Sequence, residues 1–201
     1  MKKGFPFLAA TSAVLMLLLL FVTQTALAAK SPKLAAPKSF QAQFTYQVGA
    51  NTPEQGTMYF SHGRIREEVT PIGDGPKKIT IIDPLQKTIY QIDANKKAFK
   101  VLPWDARSAL ISEALKRFEK HKLVDTKTID GQQCEDFEIR PKDPTIRPFY
   151  LFVNKETRFP VQLTTVDPDP SKEIHIKWSN LTPGYQAAIL FDPPLGYAEM
   201  K

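Results

Sequence analysis

The sequence predicts a mainly β fold, a large antiparallel sheet with a single amphipathic helix packed against it. Three observations carry the prediction. Short runs alternate apolar and polar residues with period two. Turn-forming segments rich in Gly, Pro, Asn and Asp separate those runs. One central stretch changes to the three-to-four residue spacing of a helix.

The first run is the clearest. Phe40, Ala42, Phe44, Tyr46 and Val48 alternate with Gln41, Gln43, Thr45 and Gln47, giving a strand with one apolar and one polar face. Asn51 to Gln55, flanked by Gly49 and Gly56, reads as a turn; Thr57 to Ser61 is the second strand, and His62-Gly63 a tight turn before Arg64 to Thr70. Ile79 to Ile82, Thr88 to Ile92 and Phe99 to Leu102 continue the pattern, with Asp83-Pro84 and Asp93 to Lys97 at the turns. Ala109, Leu110, Ala114, Leu115 and Phe118 then recur at helical spacing, which predicts a helix from about Ala106 to Lys122 with Asp105 as its N-cap. Its stripe is narrow and closed by charges, so packing on the sheet is favoured over binding a membrane. Asp130-Gly131 is a hairpin signal between Leu123 to Ile129 and Gln132 to Ile139. Further strands are expected at Phe149 to Val153, Val161 to Val166 and Glu173 to Trp178, where Ile174, Ile176 and Trp178 share a face; a long tail follows. A sheet of about ten strands must curl or split, and a curled sheet has a concave side.

The amino terminus is of a different kind. Lys2 and Lys3 precede an apolar run from Phe7 to Val22, and Ala26-Leu27-Ala28-Ala29 closes it with small residues. That order is the layout of a secretory signal peptide, expected to occupy residues 1–29 and to place the mature protein in the periplasm. An uncleaved membrane anchor is the competing reading, though the run is short for a spanning helix. Residues 30–38 mix lysine and proline without periodicity and read as an exposed leader. Residues 39–201 then suit one domain.

Composition narrows the function. The chain of 201 residues carries a formal net charge of +6, a mildly basic balance rather than a nucleic-acid footprint. Cys134 is the only cysteine, so no disulfide forms within the chain, and its place in a strand argues for a packed thiol rather than a reactive one. His62, His121 and His175 have no neighbour at metal-ligand spacing, there is no G-x-S-x-G, and no Gly-rich loop opens a helix. Asp167-Pro168-Asp169-Pro170-Ser171 reads as a solvated loop rather than a calcium site. Glu67-Glu68 beside Arg64 and Arg66 reads as alternating charge on the wet face of a strand. A non-enzyme without metal or cofactor is the expectation.

Several segments resemble a known family. Ser39-Phe40-Gln41-Ala42-Gln43-Phe44-Thr45 resembles the first strand of the periplasmic outer-membrane lipoprotein carriers, the LolA/LolB-like superfamily. Gly56-Thr57-Met58-Tyr59-Phe60 with Arg64-Ile65-Arg66, the paired strands of Ile79 to Tyr90, and the ending Leu190-Phe191-Asp192-Pro193-Pro194-Leu195-Gly196-Tyr197 resemble later motifs in the same order. The resemblance implies an open, incompletely closed antiparallel β-barrel whose concave face binds lipid or acyl groups under a partial cover of helix. Related domains serve as envelope-stress sensors. Two features depart from the carriers: their strand-end arginine before a proline is replaced by Ser61-His62-Gly63, and residues 30–38 cannot form their first amphipathic helix.

The expected function is therefore a periplasmic carrier or binder of a hydrophobic ligand, whether lipid, acyl chain or acylated protein. The alternative is a sensor or interaction module that docks an envelope protein. Phe40, Phe44, Tyr46, Met58, Phe60 and Tyr90 are the candidate cavity residues, and His62, Arg64 and Arg66 the candidate polar rim. For any one of these six residues, filling an ordinary core is the favoured reading.

Overall fold

Each period-two run becomes a strand, and the turn residues between the runs set the order of pairing. The computed structural model describes residues 38–71, 75–115, 122–144 and 146–200; the expected signal peptide and nearly all of the leader lie outside the described residues. The strands are β1 (Ser39–Val48), β2 (Glu54–Ser61), β3 (Arg64–Thr70), β4 (Lys78–Asp83), β5 (Thr88–Asp93), β6 (Ala98–Leu102), β7 (Lys122–Ile129), β8 (Gln132–Ile139), β9 (Phe149–Asn154), β10 (Pro160–Thr165), β11 (Ile174–Pro183) and β12 (Ala198–Glu199). They form one sheet in the order β12-β6-β5-β4-β3-β2-β1-β11-β10-β9-β8-β7. Every neighbouring pair is antiparallel except β12 with β6. The sheet is open: β12 and β7 are its edges and do not meet.

Local chemistry explains the tight connections. Asp130 (φ 48°) and Gly131 (φ 78°) both adopt left-handed backbone, as a two-residue type I′ hairpin requires. Gly56 is demanded by packing instead, because a Cβ there would lie 2.3 Å from the Glu68 carbonyl oxygen on β3. Only glycine lets the two strands approach so closely.

Topology also places the helix. The chain leaves β6 beside one edge and re-enters at β7 on the opposite edge, so the connection must cross the sheet. Helix α1 (Ala106–Ala114) lies on that crossing, and Asp105 caps it by accepting a hydrogen bond from the Ser108 N–H at 2.7 Å. The helix is shorter than its sequence pattern suggests. It is capped at Leu115, and Lys122, the expected helical end, begins β7; Phe118 lies outside the described residues.

Two faces result. On the inner face, which α1 covers, Phe40, Phe44, Met58, Phe60, Ile65 and Trp178 pack with Leu110, Ile111 and Leu115 of the helix. Full burial of each such side chain stabilises the fold by roughly 1.5–3 kcal/mol. The outer face is covered over β3 to β6 by the carboxy-terminal segment. Phe191, in a 3-10 turn at Ala188–Phe191, is buried with Ile81 and Ile92, and Tyr90, Phe99 and Tyr197 pack around them. Beyond that turn the chain adds β12 to β6, a strand absent from the sequence pattern, with Met200 N–H donating to the Phe99 carbonyl at 2.7 Å. Among the described residues no helix is long and apolar enough to cross a membrane.

Candidate functional site

The helix-covered inner face is built from alternate residues of β1, β2 and β3. Phe40 pairs with Phe60, and Ala42 with Met58, so their side chains project to one side. Phe40 and Phe60 stack at 5.1 Å between ring centroids, and Phe159 meets Phe40 edge-on at 5.8 Å. All four of Phe40, Phe44, Met58 and Phe60 are buried, with Met58 at 0% exposure. The structure thus brings these four candidates together as packed side chains beneath α1. Tyr46 joins them at the margin, half-buried against the same cluster.

Tyr90 does not share that face. It lies on the outer face, edge-on to Phe99 at 5.9 Å, within the cluster that the carboxy-terminal segment covers. Ile89 on the inner side and Ile92 on the outer side are also buried, so each face of β5 carries a buried apolar residue and alternation alone cannot assign the side. The expected rim divides as well. Arg64 and Arg66 project to the outer face, where Arg66 donates to the Leu190 carbonyl at 3.1 Å and Arg64 donates to the Phe191 carbonyl and pairs with Asp192. They clasp the terminal segment rather than rim the helix-covered cluster. His62 sits exposed in the β2–β3 turn at φ 51°, its Nδ1 2.9 Å from the Ser61 hydroxyl.

The sequence reading missed the polar group beneath α1. Glu67, expected on a wet face, is 1% exposed, and its Oε2 accepts a hydrogen bond from Arg107 Nη1 of α1 at 2.6 Å. The Arg107 guanidinium also lies over the Tyr46 ring, 4.4 Å from its centroid. Burial opposes the charge of Arg107, but the Glu67 carboxylate outweighs it and raises the guanidinium pKa above its ordinary value. Burial likewise pushes the Tyr46 phenol up, with Arg107 pulling partly the other way. Glu67 Oε1 and Arg107 Nε have no hydrogen-bond partner among the described residues. This trio pins the helix to the sheet. The signal for it was present: Glu67 lies between Ile65 and Val69 in the inward phase of β3.

Elsewhere the chemistry is structural. Cys134 is buried with Phe152 and Val161, and burial raises its thiol pKa. Asp167, expected in a solvated loop, is buried and paired with Arg147, while Asp169 caps the 3-10 turn at Pro170–Lys172. No cluster of metal-ligating side chains occurs among the described residues.

No protein-family model and no curated protein matches the chain. Solved structures do. An uncharacterized conserved protein from Thermus thermophilus superposes with a TM-score of 0.56 at 12% identity, covering 81% of this chain and 90% of that one. A LolA superfamily protein from Nitrosomonas europaea gives 0.46 at 10% identity, covering 79% and 92%. The chain shares the fold of the Thermus thermophilus protein. The Pseudomonas aeruginosa MucA/MucB complex structure gives 0.42 at 15% identity, covering 77% of this chain and 55% of that one.

Proposed function

We propose that this protein binds a hydrophobic ligand, a lipid, an acyl chain or an acylated protein, in the periplasm of the cell envelope. The apolar part of the ligand would lie between the inner face of the sheet and α1, in exchange for contacts that the helix now makes. One observation carries the reading: a broad apolar sheet face in an open fold is covered by a nine-residue helix held through a buried ion pair. Helices this short are marginal on their own, so the cover depends on the surface beneath it. Such a cover can be displaced locally while the sheet stays intact. The activity proposed is binding and release, not catalysis.

A second reading follows from a different observation. Phe40, Phe44 and Met58 are already fully packed, and β7 leaves an open sheet edge on which a partner strand can pair. On that reading the protein is a sensor or interaction module and carries no ligand.

A hydrophobic dye separates the two. The native protein should enhance dye fluorescence, a long-chain fatty acid should compete, and Arg107→Met should tighten dye binding by loosening the cover. A native protein that leaves dye fluorescence unchanged, with Arg107→Met equally inert, would favour the interaction module.

A further inference from the structure

Away from the helix the inner face changes character. Across the sheet, Ala42 pairs with Met58, Met58 with Glu67, Glu67 with Thr80, Thr80 with Gln91 and Gln91 with Lys100. Directly paired residues project to the same side, so this single row runs from apolar at β1 to polar and cationic at β6. The adjoining row, Phe40-Phe60-Ile65-Ile82-Ile89-Leu102, stays apolar throughout. The inner face therefore has a greasy part under α1 and a separate polar corner.

That corner contains an open cleft of about 620 Å³, lined by Lys77, Lys78, Gln91, Asp93, Lys96 and Lys100. Ala94 and Met200 supply apolar wall. The volume lies within the range of small-molecule sites. Four lysines from three segments face one aspartate, and that aspartate is already engaged: the Lys96 N–H donates to Asp93 Oδ1 at 3.0 Å and the Lys96 ammonium lies 3.5 Å from Oδ2. Lys77 is tied to Glu68 at 2.8 Å. Among the described residues Lys78 pairs with an exposed Glu54, at 3.6 Å, a pairing weak enough to exchange. Lys100 and the Gln91 side chain, paired in register, make no hydrogen bond or ion pair among the described residues.

We infer that this cleft binds a phosphate group, with Lys78 and Lys100 supplying charge and the Gln91 amide a hydrogen bond. The charge that is left points to the class: with Lys77 held by Glu68 and Lys96 by Asp93, the ammonium groups of Lys78 and Lys100 suit an oxyanion, and a phosphate monoester carries about −1.5 to −2 at neutral pH. The phosphate can be free or the headgroup of an anionic lipid. The site stands apart from the helix-covered cluster and does not depend on it.

The test is NMR titration of the isotope-labelled mature chain, following the backbone amides of Gln91, Ala94 and Lys100. The probes are inorganic phosphate, dihexanoyl phosphatidic acid and dihexanoyl phosphatidylcholine, the lipids below their micelle concentrations. Phosphate or phosphatidic acid should shift these amides, and Lys78→Glu/Lys100→Glu should weaken that binding at least tenfold. Lys155→Glu, in the β9–β10 turn, should not. The milder Lys100→Gln should give an intermediate loss. Response to phosphate identifies a free oxyanion site, and response to phosphatidic acid alone identifies a headgroup site. No response to either, equal binding of phosphatidylcholine, or an equal loss with Lys155→Glu would overturn the inference.

Discussion

Replacing Arg107 with methionine keeps an unbranched apolar stem but removes the guanidinium and leaves Glu67 buried without its partner. Breaking a buried ion pair from one side costs about 3–5 kcal/mol. The Arg107 side chain is 21% exposed whereas Glu67 is 1% exposed, so partial screening puts the loss near the lower end, about 3 kcal/mol. For a domain of this size each kcal/mol moves the melting temperature by about 2–4 °C, so the variant should melt about 6–12 °C lower. Thermal unfolding followed by circular dichroism measures this directly. Glu67→Leu should lose a comparable amount, because it leaves the guanidinium facing apolar surface. The double variant Glu67→Leu/Arg107→Met should recover much of the loss, since no unpaired charge remains. A drop below about 2 °C in the Arg107 variant, on the same scale, would refute the pinning role. So would single losses that simply add in the double variant.

Two further outcomes follow from the other face. Arg66→Ala removes the donor to the Leu190 carbonyl and one of the two partners of Glu68, so amide hydrogens of Phe99 and Met200 should exchange faster while those of β1 are unchanged, as hydrogen-exchange mass spectrometry can read. Unchanged exchange at the terminal segment would show that the clasp contributes nothing. Cys134 should resist a thiol-specific chromogenic reagent until the protein unfolds, because burial raises its pKa. An acid with a raised folded pKa binds more protons folded than unfolded, so its contribution to stability should fall as pH rises past the unfolded thiol value of about 8.5. Cys134→Ala should flatten that alkaline slope, and a slope identical to wild type would exclude the thiol as its source.

Much of the sheet was legible because strand alternation and turn chemistry are local. Asp130-Gly131 and His62-Gly63 mark hairpins by backbone preference alone, and Asp105 marks the helix start by its side-chain acceptor. What depended on distant partners was not legible. Ala198-Glu199 has no periodic pattern, and only its pairing with β6 makes it a strand. Tyr90 lies on the other face from the one expected: the terminal segment buries the outer side of β5, so that apolar residues occur on both of its sides. Glu67 looked solvated because charged residues flank it, yet its phase with Ile65 and Val69 carries it inward to a helix that lies forty residues further along. The motifs Arg64-Ile65-Arg66 and Leu190-Phe191-Asp192, separate in sequence, are two halves of one contact.

The two covers of the sheet are held differently, and the difference bears on function. The outer cover is gripped by Arg64 and Arg66, buries Phe191, and ends in strand pairing at β12. Its backbone is committed to the sheet at both ends. The inner cover is a short helix whose own backbone bonds are satisfied internally, so it needs no sheet hydrogen bond to exist there. Its attachment includes apolar contact, the Glu67–Arg107 pair and the stacking of Arg107 on Tyr46. Apolar contact is non-directional and can be re-formed with an acyl chain, whereas the ion pair cannot be replaced by one. On the proposed reading, a hydrophobic guest would compete with Leu110 and Ile111 while Arg107 keeps the helix tethered to β3. On the same reading, that division of labour would let α1 shift without releasing the chain, and it makes the inner face the side to test for binding and release.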